Sequence, residues 1–287
     1  MKKLLTFLLA LTLLFSLFAC NSTGEEDRQE NGDSNQNGET AQTSGDLSRI
    51  DKIKQEGTLR IGTSADYPPY EFHTEIDGVD TIVGFDIALC QYIADDLGVE
   101  LEITDMALDS LLISLQQDKF DIVAAGMSPN EERLKAADFT DKIFESEQSI
   151  ILRKADVALY PTTAELAGAS IGVQKGTIQE GIAEGITDKV VKLTKLSELI
   201  TELKTGKVDA VCIDYPCATA YVSGNDDLIV SDIEIEYEGP GTCLAVQKGE
   251  TEWVEYLNGI TLKQYINQQG HLGWRETLYF LSQILDA

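Results

Sequence analysis

Basic side chains are scarce in this chain of 287 residues: 22 Lys and Arg stand against 49 Asp and Glu, for a formal net charge of −27. That balance excludes nucleic acid as a partner, because phosphate binding draws on clustered Lys and Arg, and no basic stripe exists here. Histidine is scarcer still, with only His73 and His271. Cysteine is limited to Cys20, Cys90, Cys212, Cys217 and Cys243, too few for a dense disulfide scaffold and without a C-x-x-C pair. No metal or cofactor site is therefore expected. Cys90 in an apolar helical run and Cys212 in an apolar strand are read as buried free thiols. Long apolar runs are also lacking beyond the first twenty residues, so no second membrane-spanning segment is expected. What is present is 43% hydrophobic and 7% aromatic residues, an ordinary globular composition sufficient for one or two domains.

The chain opens with Lys2 and Lys3, an apolar run from Leu4 to Ala19, and then Cys20. This is the pattern of a secretory leader. Leu17-Phe18-Ala19-Cys20 resembles a bacterial lipoprotein box, with Cys20 as the lipidated first residue of the mature chain, although Phe18 departs from the small or aliphatic residue usual there. Removing residues 1–19 takes two lysines and no acids, leaving 20 basic against 49 acidic residues, or −29. Residues 21–47 are polar and nearly devoid of apolar side chains, a composition that cannot bury enough surface to fold. As a flexible tether they reach roughly 30 Å. An extracytoplasmic body anchored to the cell membrane through Cys20 is the expected arrangement.

From residue 57 onward short β-branched runs alternate with helical patterns, the signature of βαβ units and parallel sheets. Strands are expected at Leu59–Gly62, Leu101–Thr104 and Phe120–Ala125, with helices at Asp86–Leu97 and Ser110–Gln117. A second run repeats the scheme: strands Ser170–Val173, Val190–Leu193 and Val208–Ile213, and helices from Ile178, over Ser197–Thr205 and from Pro216. Leu111-Leu112-x-x-Leu115-x-x-x-Lys119-Phe120-Asp121-x-Val123 matches Leu199-Ile200-x-x-Leu203-x-x-x-Lys207-Val208-Asp209-x-Val211 at a constant offset of 88. Two similarly built α/β lobes follow from this. Two crossings join them, one through Asp138-Phe139-Thr140-Asp141 and one through Ile233–Pro240, whose apolar/acidic alternation reads as a half-buried strand. The chain then finishes the first lobe with Leu244-Ala245-Val246 and an amphipathic stretch from Trp253 to Ile266.

Ligands of open parallel sheets bind beyond the carboxyl ends of the strands. Arg133 follows one such end and Asp214 stands at another. A guanidinium forks two hydrogen bonds to a carboxylate, and a carboxylate opposite pairs with an ammonium, so the two suit an amino-acid zwitterion. A surface ion pair or a strand-end cap is the plain alternative for each. Gly126-Met127-Ser128 and Gly176-Thr177-Ile178-Gln179 lie between strands and following helices, where backbone N–H groups favour anions. Tyr67, Tyr70 and Phe72 cluster around Pro68-Pro69 and are candidates to line a pocket.

As a set, these residues resemble a known family. Gly62-Thr63-x-x-x-Tyr67-x-Pro69-Tyr70-x-Phe72, Val83-Gly84-Phe85-Asp86-Ile87, Lys119-Phe120-Asp121, Gly126-Met127-x-x-x-x-Glu132-Arg133, Asp138-Phe139-Thr140-Asp141, Gly172-Val173-x-x-Gly176-Thr177-x-Gln179-Glu180 and Lys207-Val208-Asp209-Ala210-Val211 stand in the order of the polar-amino-acid solute-binding proteins of ABC importers. The resemblance spans about residues 48–287. It implies an α/β, two-lobed periplasmic-binding-protein fold of type II with a two-strand hinge: residues 48–144 and 240–287 in lobe 1, and 145–239 in lobe 2. It further implies a monomer that captures a free polar amino acid in the cleft and delivers it to a membrane permease. Arg133, helped by Ser128 and Thr177, would hold the α-carboxylate and Asp214 the α-ammonium, while Tyr67, Tyr70 and Leu108 would cover the side chain. Gly126, Gln174 and Gln179 complete the expected site, and Asp66 and Asp109 are further candidates for a polar ligand head. Pro129, Ile178 and Leu108 depart from the residues usual at their positions.

Three other readings use the same residues. Gly168-Ala169-Ser170-Ile171-Gly172 fits the G-x-S-x-G pattern, with Asp214 and His271 following, but Ser170 begins a strand where a nucleophile elbow ends one. A dehydratase on the same scaffold would need an acid–base pair that the sequence does not display. A sensor that presents its ligand to a receptor shares every feature of the transport reading. No enzymatic activity is expected.

Overall fold

The computed structural model describes residues 47–260. The leader, Cys20, all but the last residue of the expected tether, His271 and the end of the stretch from Trp253 to Ile266 lie outside these residues.

Ser48 accepts the Asp51 N–H and starts helix α1 (Arg49–Glu56), which Gly57 ends in the left-handed region at φ 72°. The sequence reading does not anticipate α1, which is held by fully buried Ile53, with Ile50 beside it, and by an ionic cluster. Buried Arg49 donates to Asp118 at 2.6 Å, Asp121 at 3.1 Å, Gln247 at 2.7 Å and Glu250 at 2.9 Å, pinning the helix to the first lobe. Strand β1 (Thr58–Thr63) leads to a small antiparallel sheet of β2 (Asp66–Tyr67), β3 (Glu71–Ile76) and β4 (Val79–Val83), which the sequence reading does not anticipate. Then follow α2 (Phe85–Leu97), ended by Gly98, β5 (Glu100–Asp105), α3 (Leu108–Gln116), β6 (Ile122–Val123), α4 (Arg133–Ala136) and β7 (Ala137–Phe139).

The second lobe runs β8 (Gln148–Arg153), a 3-10 turn (Lys154–Leu159), α5 (Thr163–Leu166), β9 (Ile171–Gln174), α6 (Gln179–Ile186), β10 (Val190–Leu193), α7 (Leu196–Lys204), β11 (Ala210–Asp214), α8 (Tyr215–Ser223) and β12 (Leu228–Val230). β13 (Ala245–Gln247) and α9 (Thr251–Ile260) belong again to the first lobe. The two large sheets have the orders β5-β1-β6-β13-β7 and β10-β9-β11-β8-β12. In each, four strands share one direction, and a single strand, β13 in the first and β8 in the second, runs antiparallel between two of them.

The repeat at offset 88 has a structural meaning. Asp121 N donates to Arg60 O and the Asp121 carboxylate takes back Arg60 N at 2.9 Å; Asp209 N donates to Ser170 O and its carboxylate takes back Ser170 N at 2.8 Å. Each aspartate thus ties the start of a strand to the first strand of its own βαβ unit. Gly62 and Gly172 are equivalent as well, since a Cβ at Gly62 would lie 2.5 Å from the Phe120 ring and one at Gly172 would lie 2.8 Å from Leu199. Apolar residues fill both lobes, with Ile61, Leu89, Ile93, Ile122 and Trp253 in one and Ile150, Ile171, Leu199, Leu203 and Val211 in the other.

One expectation is corrected. Residues 233–240 do not form a strand. Burial alternates as expected, with Ile233 buried, Ile235 and Tyr237 half-buried, and Glu234, Glu236 and Glu238 exposed. Period-2 burial requires only an extended chain lying on a packed layer, whereas a strand also needs a neighbour. The adjacent β8 already pairs with β11 on one side and β12 on the other. The hinge is instead two extended connections joined by one antiparallel bridge, Phe144 with Thr242.

Candidate functional site

The carboxyl ends of β1 and β6 in the first lobe face those of β9 and β11 in the second across a cleft. The empty space between them is about 470 Å³, open solvent at its mouth included.

Arg133 opens α4, its backbone N–H held by the Asn130 side chain at 2.8 Å. Its guanidinium donates to Ser128 O at 2.5 Å and, across the cleft, to Gly176 O at 2.6 Å. Both partners are neutral carbonyls, and no carboxylate lies within ion-pair distance of it among the described residues. Burial lowers its pKa to about 10, opposed by Tyr237 and Glu132. A buried guanidinium without a counter-charge is costly until an anion reaches it.

Asp214 ends β11. The cap reading is correct for it, since its Oδ1 accepts the Cys217 N–H at 2.9 Å and starts α8. It also lines the cleft. Burial pushes its carboxyl up to about 7, against the Cys217 N–H and the Tyr67 hydroxyl, which favour the ionised form.

Loop 174–178 contributes backbone. Gly176 has φ 85°, and a Cβ there would approach Asp109 Cβ at 3.1 Å, so the close crossing of the lobes needs glycine. The Thr177 hydroxyl closes this turn by donating to Gln174 O at 2.7 Å. α6 begins without a side-chain cap, and Thr177 and Gln179 at its start line the cleft. Gln179 donates to buried Gln148 at 2.7 Å. Gln174 lines the cleft too, but its amide donates to Asp66 and to Thr194 O.

On the first lobe Tyr67, Leu108, Gly126 and Ser128 line the cleft. Tyr70 does not; it is fully buried, stacked between Tyr67 at 5.8 Å and Phe144 at 4.6 Å. Asp109 pairs with Lys175 at 2.8 Å on the other lobe, and Asp66 is likewise engaged in bonds between the lobes. All four described cysteines are free and buried.

Sequence reasoning missed Glu71, which lines the cleft and is almost fully buried. Behind it lies Asp86 in the first turn of α2, whose Oδ2 accepts the Gly126 N–H at 3.0 Å. No N–H or hydroxyl donor among the described residues reaches Glu71 Oε2 or Asp86 Oδ1. Burial first, and then the charge of Asp86, push the Glu71 carboxyl well above its ordinary range, and burial lifts Asp86 to about 6. Strand alternation gives no signal for it, because Glu71 shares its phase along β3 with exposed His73 and Glu75. Ser146 and Thr242, from the two hinge connections, also reach the cleft.

Residues 59–269 match the profile of bacterial extracellular solute-binding proteins, family 3. The chain is 32% identical over 265 residues to the arginine-binding extracellular protein ArtP of Bacillus subtilis, covering 90% of this chain and 91% of that protein. It is 33% identical over 261 residues to a probable histidine-binding protein of Campylobacter jejuni, again covering 90% and 91%. Among solved structures, an amino acid ABC transporter substrate-binding protein from Streptococcus pneumoniae bound to L-arginine superposes with a TM-score of 0.75 at 35% identity, covering 81% of this chain and 97% of that one. The arginine-bound form of truncated ArgBP from T. maritima gives 0.67 at 39% identity, covering 73% and 97%. With a profile match over most of its length, the chain belongs to the bacterial extracellular solute-binding proteins, family 3.

Proposed function

We propose that the protein captures an amino acid with a cationic side chain between its lobes and delivers it to the permease of an ABC importer. The observation that carries the cationic reading is the charge inventory of the cleft. Arg133 and Asp214, from opposite lobes, match the carboxylate and ammonium that every amino acid carries. Glu71 with Asp86 behind it is left over, a buried acidic pair with no cation in ion-pair distance among the described residues. A guanidinium, ammonium or imidazolium on the ligand side chain would supply that cation. The named relatives that bind arginine or histidine, and the arginine-bound solved structures, support the same ligand class.

In this mechanism no covalent chemistry occurs. The ligand enters an open cleft, its carboxylate meets Arg133, Ser128 and the N–H groups at the start of α6, and closure brings Asp214 to its ammonium. Tyr67 and Leu108 exclude water around the side chain, and Gln174 and Gln179 close the cleft floor. Calorimetric titration of residues 48–287, refolded to strip any carried ligand, with the twenty amino acids tests the reading. One-to-one binding of arginine, lysine or histidine without turnover is expected; selective binding of an uncharged or acidic amino acid would reject it.

Residues 1–19 act in this proposal as a lipoprotein leader, Cys20 as the acylated anchor and residues 21–47 as the tether of a monomeric, extracytoplasmic body. Residues 48–144 and 240–287 form one lobe and 145–239 the other. The description of the Bacillus subtilis relative as extracellular supports this placement. Fatty-acid labelling of the expressed full chain should be lost in Cys20→Ser; equal labelling of both would remove the anchor from the proposal.

A further inference from the structure

Asp66 stands in β2, one residue before Tyr67, and is committed three times to the opposite lobe. Its Oδ1 accepts the Gln174 amide at 3.0 Å, its Oδ2 accepts the Leu196 N–H at 2.6 Å, and its carbonyl accepts the Tyr221 hydroxyl at 2.7 Å. Gln174 ends β9, Leu196 opens α7 and Tyr221 lies in α8, so three elements of the second lobe converge on one residue of the first. Asp66 itself does not line the cleft.

The bond to Leu196 completes a helix. Lys195 occupies the N-cap position of α7, and no side chain of its own neighbourhood caps it. A carboxylate at a helix start satisfies an orphan N–H and complements the helix dipole. Here that carboxylate comes from across the cleft, so α7 gains its cap only in the closed form. The burial that accompanies closure raises the Asp66 carboxyl, and the Leu196 N–H and Gln174 amide oppose that rise. By contrast, the ion pair between the lobes, Lys175 with Asp109, is exposed to solvent, where such pairs contribute little.

From this geometry we propose that Asp66 is the closure latch of the protein, a positioning residue that governs how long a captured amino acid is retained. A group whose bonds exist only in the closed form shifts the open–closed balance without touching the ligand. Encounter takes place with the open form, so the latch acts on escape and not on capture.

Stopped-flow kinetics with L-arginine as the probe separates these rates. Asp66→Ala should raise the dissociation rate roughly tenfold and leave the association rate within about twofold. Asp66→Asn keeps an acceptor oxygen for the Leu196 N–H and should fall between wild type and alanine. Tyr221→Phe removes a single bond outside the cleft and should raise dissociation about threefold; it carries the test if the alanine variant does not fold. Dissociation rates within twofold of wild type in the folded variants, or an effect confined to association, would overturn the latch.

Discussion

The buried guanidinium of Arg133 donates to two carbonyls, and in the proposed function the ligand carboxylate supplies its counter-charge. Arg133→Ala should therefore weaken amino-acid binding by about 3 kcal/mol or more, roughly a hundredfold in Kd by calorimetry. The acidic groups carry a pH signature. Asp214 and Asp86 are raised by burial to about 7 and about 6. A carboxyl whose folded pKa is raised stabilises the fold while protonated, and that contribution is lost as pH rises from about 4 through the folded value. A bound cation offsets the loss by pairing with the ionised form. The gain in thermal midpoint at saturating L-arginine should thus be larger at pH 8 than at pH 5 by calorimetry; an equal or smaller gain at pH 8 would contradict this assignment. Arg133 and Asp214 were legible in sequence because they follow strand ends. Glu71 was not, since along β3 it shares the phase of exposed His73 and Glu75 and is buried only at the start of the strand, where it meets the cleft. Asp66 reads in sequence as a candidate ligand contact, whereas it bridges the lobes outside the cleft, because its partners are more than a hundred residues away.

At the scale of elements, packing distance decides which glycines matter. Gly62→Ala would press a Cβ to 2.5 Å from the Phe120 ring and should cost about 1–3 kcal/mol in chemical denaturation. Gly168→Ala, with open space at the same position, should stay within about 0.5 kcal/mol. The βαβ elements were readable because apolar period and strand composition agree, and the paired Asp121 and Asp209 even transmit the internal repeat. Helix α1 was not read, since in eight residues only Ile50 and Ile53 carry an apolar pattern and the rest of its hold is the ion-pair cluster of Arg49. Residues 233–240 were misread because alternation reports which side chains are buried but not whether a neighbouring strand is available.

Across the whole molecule, two sheets of like design leave a cleft whose walls come from both, and two connections with a single antiparallel bridge join them. The net charge of −27 gives the protein a field that attracts cations, which in the proposed function favours arrival of a basic amino acid before any contact forms. Among the described residues no helix is long and apolar enough to cross a membrane. The most direct measurement is calorimetric titration of the wild type and of Glu71→Gln with L-arginine and with L-citrulline, its neutral near-isostere. The wild type should bind arginine at least about tenfold more tightly than citrulline, and Glu71→Gln should lose most of that preference. Equal affinity of the wild type for the two, or a preference unchanged in Glu71→Gln, would contradict recognition of a cationic side chain by the buried acid.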